Sequence, residues 1–183
     1  MRKLALALAA TATLALGLPA SPAAASIETA EAKATAASAA DIAREDMFVT
    51  FGTTELKPGR FLWKNGAEPG QVTRVVISLG DQLAFAYHHD ELIAVSTISS
   101  GTEKNPTPTG IFNVLEKKPM HRSRKYENAP MPFMQRIDQF GVALHAGHLP
   151  GYPASHGCIR LPHKFAAKLY QVTRVGTPVL IGA

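Results

Sequence analysis

The only cysteine of the 183-residue chain, Cys158, lies in a segment that also holds three of the seven histidines. These histidines are His145, His148 and His156. A thiol is mostly protonated near neutral pH, so a nucleophilic cysteine needs a base or a cation beside it. The segment therefore predicts a cysteine nucleophile that is activated by a histidine. A buried, inert thiol is the alternative interpretation, because free cysteines are often buried.

The residues around Cys158 fit this chemistry. Gly157 removes a side chain where a substrate carbonyl must approach, and it frees the backbone for a tight turn. We expect the N–H groups of Gly157 and Cys158 to form an oxyanion hole. His145 ends a predicted strand and returns from elsewhere in the fold, so we expect it, rather than His156, to be the base. Such a pair is expected to give a thiolate below the free thiol pKa of ~8.5.

The same segment contains four side chains that could ligate zinc instead: His145, His148, His156 and Cys158. The chain has no His-Glu-x-x-His motif, which is typical of helical zinc sites in metalloproteases. We expect a site without metal or cofactor. A His/Cys zinc hydrolase stays as an alternative, which the metal content of the purified protein would distinguish from a cysteine enzyme.

The N-terminus has the three parts of a secretory signal peptide. Arg2 and Lys3 precede the apolar run Leu4–Leu18, and Ala23-Ala24-Ala25 offers a small-residue cleavage site. The apolar run is shorter than the ~20 residues that span a bilayer. We predict that residues 1–25 are removed, that the mature chain is exported to the periplasm or the cell wall, and that it has no transmembrane segment.

The charge of the predicted mature chain argues against a nucleic-acid partner. The full chain carries 19 Lys and Arg against 14 Asp and Glu, a net charge of +5. Loss of Arg2 and Lys3 leaves 17 against 14, a net charge of +3. This mild excess, without interleaved basic and aromatic residues, is far from the footprint of a nucleic-acid-binding protein.

The rest of the sequence divides into three parts by composition. Residues 26–46 are rich in Ala, Ser and Thr without a stripe of large apolar residues, so we predict a tether. Residues 47–71 form an N-terminal extension to which the sequence assigns no role. Residues 72–183 contain most of the strand-like runs and the residues that could do chemistry.

The apolar runs predict a mainly β domain. The predicted strands are Val72–Leu79, Leu83–Tyr87, Leu92–Ile98, Ile111–Leu115, Gly141–His145 and Thr177–Ile181. A helix is predicted from Pro162, since Phe165, Leu169 and Val172 share one face. The polar stretch Glu116–Gln139 holds Pro119, Pro130 and Pro132, and no strand is predicted in it; residues 117–125 are interpreted as a basic loop. This loop is either solvated or attracts carboxylates.

The segment Ser155-His156-Gly157-Cys158-Ile159-Arg160-Leu161, preceded by a strand that ends in His145, resembles the signature of the L,D-transpeptidase catalytic domain of the YkuD type. Further landmarks occur in the order of that family: Gln82, Ser99-Ser100-Gly101 and Pro106–Phe112. The resemblance covers about residues 72–183. Many members have Ser or Gly at the position of Ala146. This difference is harmless if the backbone carbonyl of that residue orients the base.

The resemblance implies a mixed β-sandwich with one or two helices, and an enzyme that acts on the peptide stems of bacterial peptidoglycan. In that reaction Cys158 attacks the carbonyl of the third stem residue, and the terminal D-alanine leaves. An acceptor amine then resolves the thioester and forms a cross-link. The acceptor is another stem or a protein anchored to the wall.

The resemblance also implies roles for individual residues. Cys158 is the nucleophile and His145 is the base. The residues that shape the pocket or bind the substrate are Ser155, His156, Gly157 and Arg160, with Arg160 on a carboxylate. Three alternatives stay open: an L,D-carboxypeptidase that uses water, an amidase on the same stems, and a wall-binding module without catalysis.

Overall fold

A computed structural model of the chain describes residues 26–64 and 71–183. The predicted signal peptide, residues 1–25, lies outside the described residues. The described part contains two β-sheets and two helices. This architecture confirms the prediction of a mainly β fold with one or two helices.

The larger sheet has seven strands in the order β1-β6-β11-β3-β4-β5-β2. Their bounds are β1 Ser26–Ile27, β2 Phe61–Trp63, β3 Arg74–Ser78, β4 Leu83–His88, β5 Glu91–Thr97, β6 Gly110–Asn113 and β11 Pro178–Gly182. Strands β3, β4 and β5 form the antiparallel meander that the sequence predicts. The last strand, β11, runs parallel to β3 in the middle of the sheet.

The smaller sheet has four strands in the order β10-β9-β8-β7. Their bounds are β7 Glu116–Arg122, β8 Pro130–Arg136, β9 Ala143–Ala146 and β10 Ile159–Leu161. The sequence predicts no strand in the polar stretch Glu116–Gln139, and the interpretation of residues 117–125 as a loop is wrong up to Arg122, because β7 and β8 pair as an antiparallel hairpin. Pro119 is tolerated because β7 is the edge strand of this sheet, where a missing N–H donor need not break a ladder.

Both faces of the larger sheet are buried. Along β3, Val75 and Ile77 belong to a core that includes Phe165 and Leu169 of helix α2 (His163–Val172). The alternate residue, Val76, belongs to a second core on the opposite face. Successive side chains of a strand point to opposite faces, so this division follows from the strand itself. Continuous apolar runs such as those of β3 and β4 are typical of strands covered on both sides.

The second core is closed by helix α1, Ala30–Phe51. The prediction of a tether over residues 26–46 is therefore wrong. The buried side of α1 is a stripe of small residues with one large side chain: Ala32, Ala36, Ala40, Ala43 and Met47. Small side chains let the helix backbone lie close to the sheet, so docking does not require a stripe of large apolar residues.

Polar contacts complete the attachment of α1. Thr29 caps its N-terminus by accepting from Ala32 N at 3.2 Å, and Gly52 ends it in the left-handed conformation with φ of 71°. The hydroxyl of Tyr87, on β4, donates to Asp46 Oδ2 of the helix at 2.7 Å. Helix and sheet are thus joined by packing and by a directional bond.

Residues 47–71, to which the sequence assigns no role, contribute to the fold where they are described. Met47–Phe51 completes α1, and β2 pairs with β5 at one edge of the larger sheet. Phe61 and Trp63 of β2 lie against Phe165, with ring centroids 5.6 and 5.4 Å apart. Within the described ranges, neither helix is long and apolar enough to cross a bilayer.

The contact between α1 and the sheet predicts a strong effect of one added methyl group. A Cβ at Gly182 of β11 would lie 2.7 Å from Ala36 O and 2.9 Å from Ala37 Cα. We expect Gly182→Ala to lower the free energy of unfolding by about 1–3 kcal/mol, because helix or strand must shift. Gly80→Ala is the matched control, since its Cβ would meet only the Ala183 carbonyl carbon at 3.9 Å. Equal thermal unfolding midpoints for the two variants would contradict this packing.

Candidate active site

Cys158 and His145 lie in one pocket of about 890 Å³, between the β7–β8 hairpin and the β9–β10 pair. Ser155, His156 and Arg160 also line it. The structure therefore brings together five of the six site residues that the sequence predicts. The sixth, Gly157, lies buried in the turn that carries Cys158.

The parallel pairing of β9 with β10 explains how two distant residues meet. Arg160 is in register with His145, so Cys158, just before β10, lies near the start of β9. The outer edge of β10 is held by Ser99, which exchanges two backbone hydrogen bonds of 3.0 Å with Arg160. Backbone bonds thus fix the strands, and the side chains of Cys158 and His145 stay free for chemistry.

The turn that carries Cys158 is closed by Ser155. Its Oγ donates to Cys158 O at 2.5 Å and accepts from Gly157 N at 3.1 Å. Gly157 has φ of 110°, a conformation that residues with a side chain rarely adopt. Because the Gly157 N–H is engaged by Ser155, the expected two-donor oxyanion hole reduces to the Cys158 N–H, for which no acceptor is found among the described residues.

The family motifs that occur earlier in the chain hold this turn in place through hydrogen bonds and close packing. Thr107 Oγ1 donates to Gly157 O and accepts from Gly101 N, both at 2.9 Å. A Cβ at Gly101 would lie 2.9 Å from Gly157 Cα, so only glycine fits there. Gln82 exchanges hydrogen bonds with Ser100, and Ser100 O accepts from the Ser155 N–H at 2.9 Å. These residues position the nucleophile without touching the pocket.

His145 is buried and its tautomer is defined by the backbone. Its Nδ1 lies 2.8 Å from Ala146 O, and a carbonyl oxygen only accepts, so Nδ1 carries the proton and Nε2 is left as the base. The difference at Ala146 is harmless for this reason. Burial lowers the pKa of His145, the Ala146 carbonyl raises it, and the charges of Arg160 and His121 lower it further. The imidazole is neutral near pH 7.

The Cys158 thiol lies in a mainly apolar environment. It packs against Met131, Met134 and Ala143, and it donates to Gly141 O at 3.8 Å. Burial raises the pKa of Cys158 above its usual value, and Asp138 adds to the rise, whereas the Ala143 N–H and Arg160 oppose it. The expectation of a thiolate below the free pKa is therefore wrong for this state. The pocket holds a neutral thiol and a neutral imidazole.

The other histidines of the segment do not join a metal site. His156 is exposed and stacks on Tyr126 of the hairpin connection, with ring centroids 4.3 Å apart and planes inclined by 22°. His148 is exposed as well, whereas His145 is buried. Over residues 26–64 and 71–183, no three His, Cys, Asp or Glu side chains are grouped to hold a metal ion. The four potential zinc ligands are thus not assembled.

The basic stretch 117–125 has two roles in the structure. Lys117 donates to the carbonyls of Tyr170 and Thr173 at 2.5 and 2.6 Å, which satisfies the C-terminal end of helix α2. Other basic residues of the hairpin line the pocket: Lys118, His121, Arg124 and Lys125. One side of the pocket is therefore positively charged. Arg160 also lines the pocket. Its aliphatic side-chain carbons pass close to Gly147, where an added Cβ would lie 3.0 Å from Arg160 Cγ.

Sequence reasoning misses two residues that shape the site. From the sequence, Tyr126 fits the core and a substrate wall equally well, and the structure makes it a pocket residue stacked on His156. Asp138 has only a weak signal, since an Asp shortly before a Gly is typical of a turn. Its carboxylate accepts from three consecutive N–H groups of the loop that supplies Gly141 O to the thiol.

Fold and site together define a β-sandwich in which a cysteine and a buried histidine line one pocket with several basic residues. The family model of the L,D-transpeptidase catalytic domain, YkuD, matches residues 72–181, which is more than half of the chain. The chain belongs to this family, and the family resemblance inferred from its motifs is confirmed. No protein with a curated description matches the chain significantly.

Solved structures of L,D-transpeptidases are similar to this one. An L,D-transpeptidase from Mycobacterium smegmatis is 26% identical, with a TM-score of 0.57 over 62% of this chain and 59% of that chain. One from Xylanimonas cellulosilytica is 26% identical, with a TM-score of 0.56 over 65% and 63%. A cysteine-to-serine mutant from Enterococcus faecium is 27% identical, with a TM-score of 0.54 over 60% and 49%. The chain thus spans less than two thirds of these proteins.

The charges around Cys158 predict how Arg160 affects its reactivity. Because Arg160 lowers the thiol pKa, Arg160→Gln should raise it and move the pH midpoint of alkylation by neutral iodoacetamide to higher pH. Arg160→Lys keeps the charge and is the control. The measurement is the alkylation rate against pH for the three proteins. A midpoint in Arg160→Gln at or below that of the wild type would contradict the assignment.

Proposed function

We propose that the protein is a peptidoglycan L,D-transpeptidase in which Cys158 is the nucleophile and His145 is the general base. The observation that carries this proposal is the shared pocket of the two side chains, with the Nε2 of His145 left as the base. Membership of the L,D-transpeptidase catalytic domain family supports the reaction class. The substrate is the peptide stem of peptidoglycan.

The first half-reaction forms a thioester. Since both groups start neutral, the thiol proton moves to His145 Nε2 as Sγ attacks the carbonyl of the third stem residue. The Cys158 N–H stabilises the oxyanion of the tetrahedral intermediate. The imidazolium then protonates the leaving amine, and the terminal D-alanine departs. The positive charge of Arg160, which lowers the pKa of His145, favours return of this proton.

The second half-reaction releases the product. An acceptor amine attacks the thioester, loses a proton to His145, and forms an amide as the Cys158 thiol is regenerated. The acceptor is the side-chain amine of another stem or of a wall-anchored protein. Attack by water would give the L,D-carboxypeptidase reaction instead, with the same acyl-enzyme.

The charge of the pocket supports an acidic substrate. Stem peptides carry several carboxylates, and a pocket wall with Lys118, Arg124 and Lys125 attracts them. Arg160 is the guanidinium on the same strand pair as the nucleophile, and we assign it to a substrate carboxylate. The exposed ring of His156 and the half-buried ring of Tyr126 form a stacked wall that we assign to substrate contact.

The test is mass spectrometry of products after residues 26–183 are mixed with purified tetrapeptide muropeptides. We expect a dimer that has lost one D-alanine, and nearly complete loss of product in Cys158→Ser, because an alcohol is a far weaker nucleophile beside the same base. Tripeptide monomer alone would indicate water as the acceptor. Undiminished product from a folded Cys158→Ser protein would refute the mechanism.

Two histidine variants serve as matched controls in this assay. His145→Ala should lower turnover by roughly 10²-fold or more, because the thiol proton has no acceptor. His156→Ala removes an exposed ring and should reduce turnover less. A larger loss of turnover in His156→Ala than in His145→Ala would reverse the assignment of the base.

We also propose that the protein is exported, to the periplasm or the cell wall. The charged start, short apolar run and small-residue site of residues 1–25 support this proposal. Cleavage after Ala25 would place the new N-terminus at Ser26, the first residue of β1. N-terminal sequencing of the protein from an extracytoplasmic fraction should therefore begin at Ser26. An intact Met1 in that fraction would contradict cleavage.

A further inference from the structure

We propose that Asp138 is a positioning residue for the nucleophile, holding the Gly141 carbonyl on which the Cys158 thiol rests. The inference rests on the proposed function of Cys158. Asp138 is buried, with 4% of its surface exposed, although it lies beside an open pocket. A buried carboxylate must be compensated by hydrogen bonds or by opposite charge, so its contacts show what it does.

The hydrogen bonds of the Asp138 carboxylate all shape one loop. Its Oδ1 accepts from Phe140 N at 2.9 Å, Gly141 N at 2.7 Å and Val142 N at 2.8 Å. Three amide donors on one oxygen fold residues 138–142 into a tight turn, in which Gly141 has φ of 99°. The loop is joined to the sheet by Ile137 N, which donates to Val142 O at 2.9 Å.

This turn supplies the carbonyl oxygen that accepts the hydrogen bond of the Cys158 thiol. Gly141 O lies 3.8 Å from Cys158 Sγ, and it is the acceptor for the thiol in the described structure. Val142 precedes β9, so the same turn leads directly into the strand that ends with His145 and Ala146. Asp138 therefore sets the resting position of the thiol relative to the strand that carries the base.

The charge of Asp138 distinguishes this role from a purely structural one. An amide oxygen would accept the same N–H groups, but it would lack the negative charge by which Asp138 adds to the rise in the Cys158 thiol pKa that burial causes. Arg160 acts in the opposite direction. The pocket is also lined by one acid, Glu116, by four other lysines and arginines, and by five histidines, one of which is His145. One of these cations, Arg136, donates to Asp138 O at 2.8 Å. Asp138 thus adds to burial, which is the larger cause, in favouring the protonated thiol at rest.

The experiment compares Asp138→Asn, which keeps an oxygen acceptor, with Asp138→Ala, which does not. Asp90→Asn is the charge control, because the Asp90 carboxylate is fully exposed and pairs with Arg74 at 3.4 Å, away from the pocket. Three quantities are measured for each variant: the pH midpoint of Cys158 alkylation by iodoacetamide, and kcat and KM on tetrapeptide muropeptides. Circular dichroism and thermal unfolding report whether each variant folds.

We expect Asp138→Asn to move the alkylation midpoint to lower pH while Asp90→Asn leaves it unchanged. Asp138→Ala should lower kcat by roughly tenfold with little change in KM, because the thiol loses its fixed position, and Asp138→Asn should restore most of kcat. A midpoint in Asp138→Asn that is unchanged or higher overturns the proposal, as does a kcat in folded Asp138→Ala equal to that of the wild type.

The two proposals fail in different ways. If wild-type protein is alkylated normally but yields no product from muropeptides, the proposed function fails, and the alkylation midpoints still decide the role of Asp138. If the wild type forms product and Asp138→Asn has an unshifted midpoint, only the positioning role fails. Should Asp138→Ala not fold, the midpoint of Asp138→Asn alone decides whether the positioning role holds.

Discussion

The parallel pairing of two short strands, β9 and β10, is the constraint on which the site depends. It sets Arg160 opposite His145, and it thereby places Cys158 near the start of the strand that carries the base. Two short strands cannot hold this register alone. Ser99 pairs with the outer edge of β10. The Ser155–Cys158 turn packs against Gly101 and accepts a hydrogen bond from Thr107. The motifs far from the cysteine thus serve one purpose, which is to fix its backbone.

The electrostatics of the pocket follow from burial rather than from ion pairing. Burial raises the pKa of Cys158 and lowers that of His145, so neither group carries its charge at rest. Arg160 lowers both pKa values, since its charge favours a thiolate and disfavours an imidazolium. This arrangement supports the proposed mechanism, in which the thiol proton moves during attack, because proton transfer beforehand would create two buried charges.

The sequence predicted which residues share the pocket better than it predicted the layers of the fold. Cys158 and His145 could be found because the cysteine is unique and its histidines are close in sequence. Helix α1 was missed because its buried stripe, Ala32 to Met47, is made of small residues that carry little apolar signal. The hairpin β7–β8 was missed because its edge strand is polar. Asp138 could not be found, since its role depends on three-dimensional contacts with main-chain N–H groups.

The missed helix bears on the site as well as on stability. Two residues that support the turn of Cys158 are attached to the central strands of the larger sheet. Gln82 immediately precedes β4, and Ser99 follows shortly after β5. On the face turned away from the site, Phe85 of β4 and Val95 of β5 share a core with Ala43 and Met47 of α1. Helix α1 therefore holds these strands from behind. A support that must keep a backbone turn in place has to be rigid itself, and covering the second face of the sheet provides that rigidity.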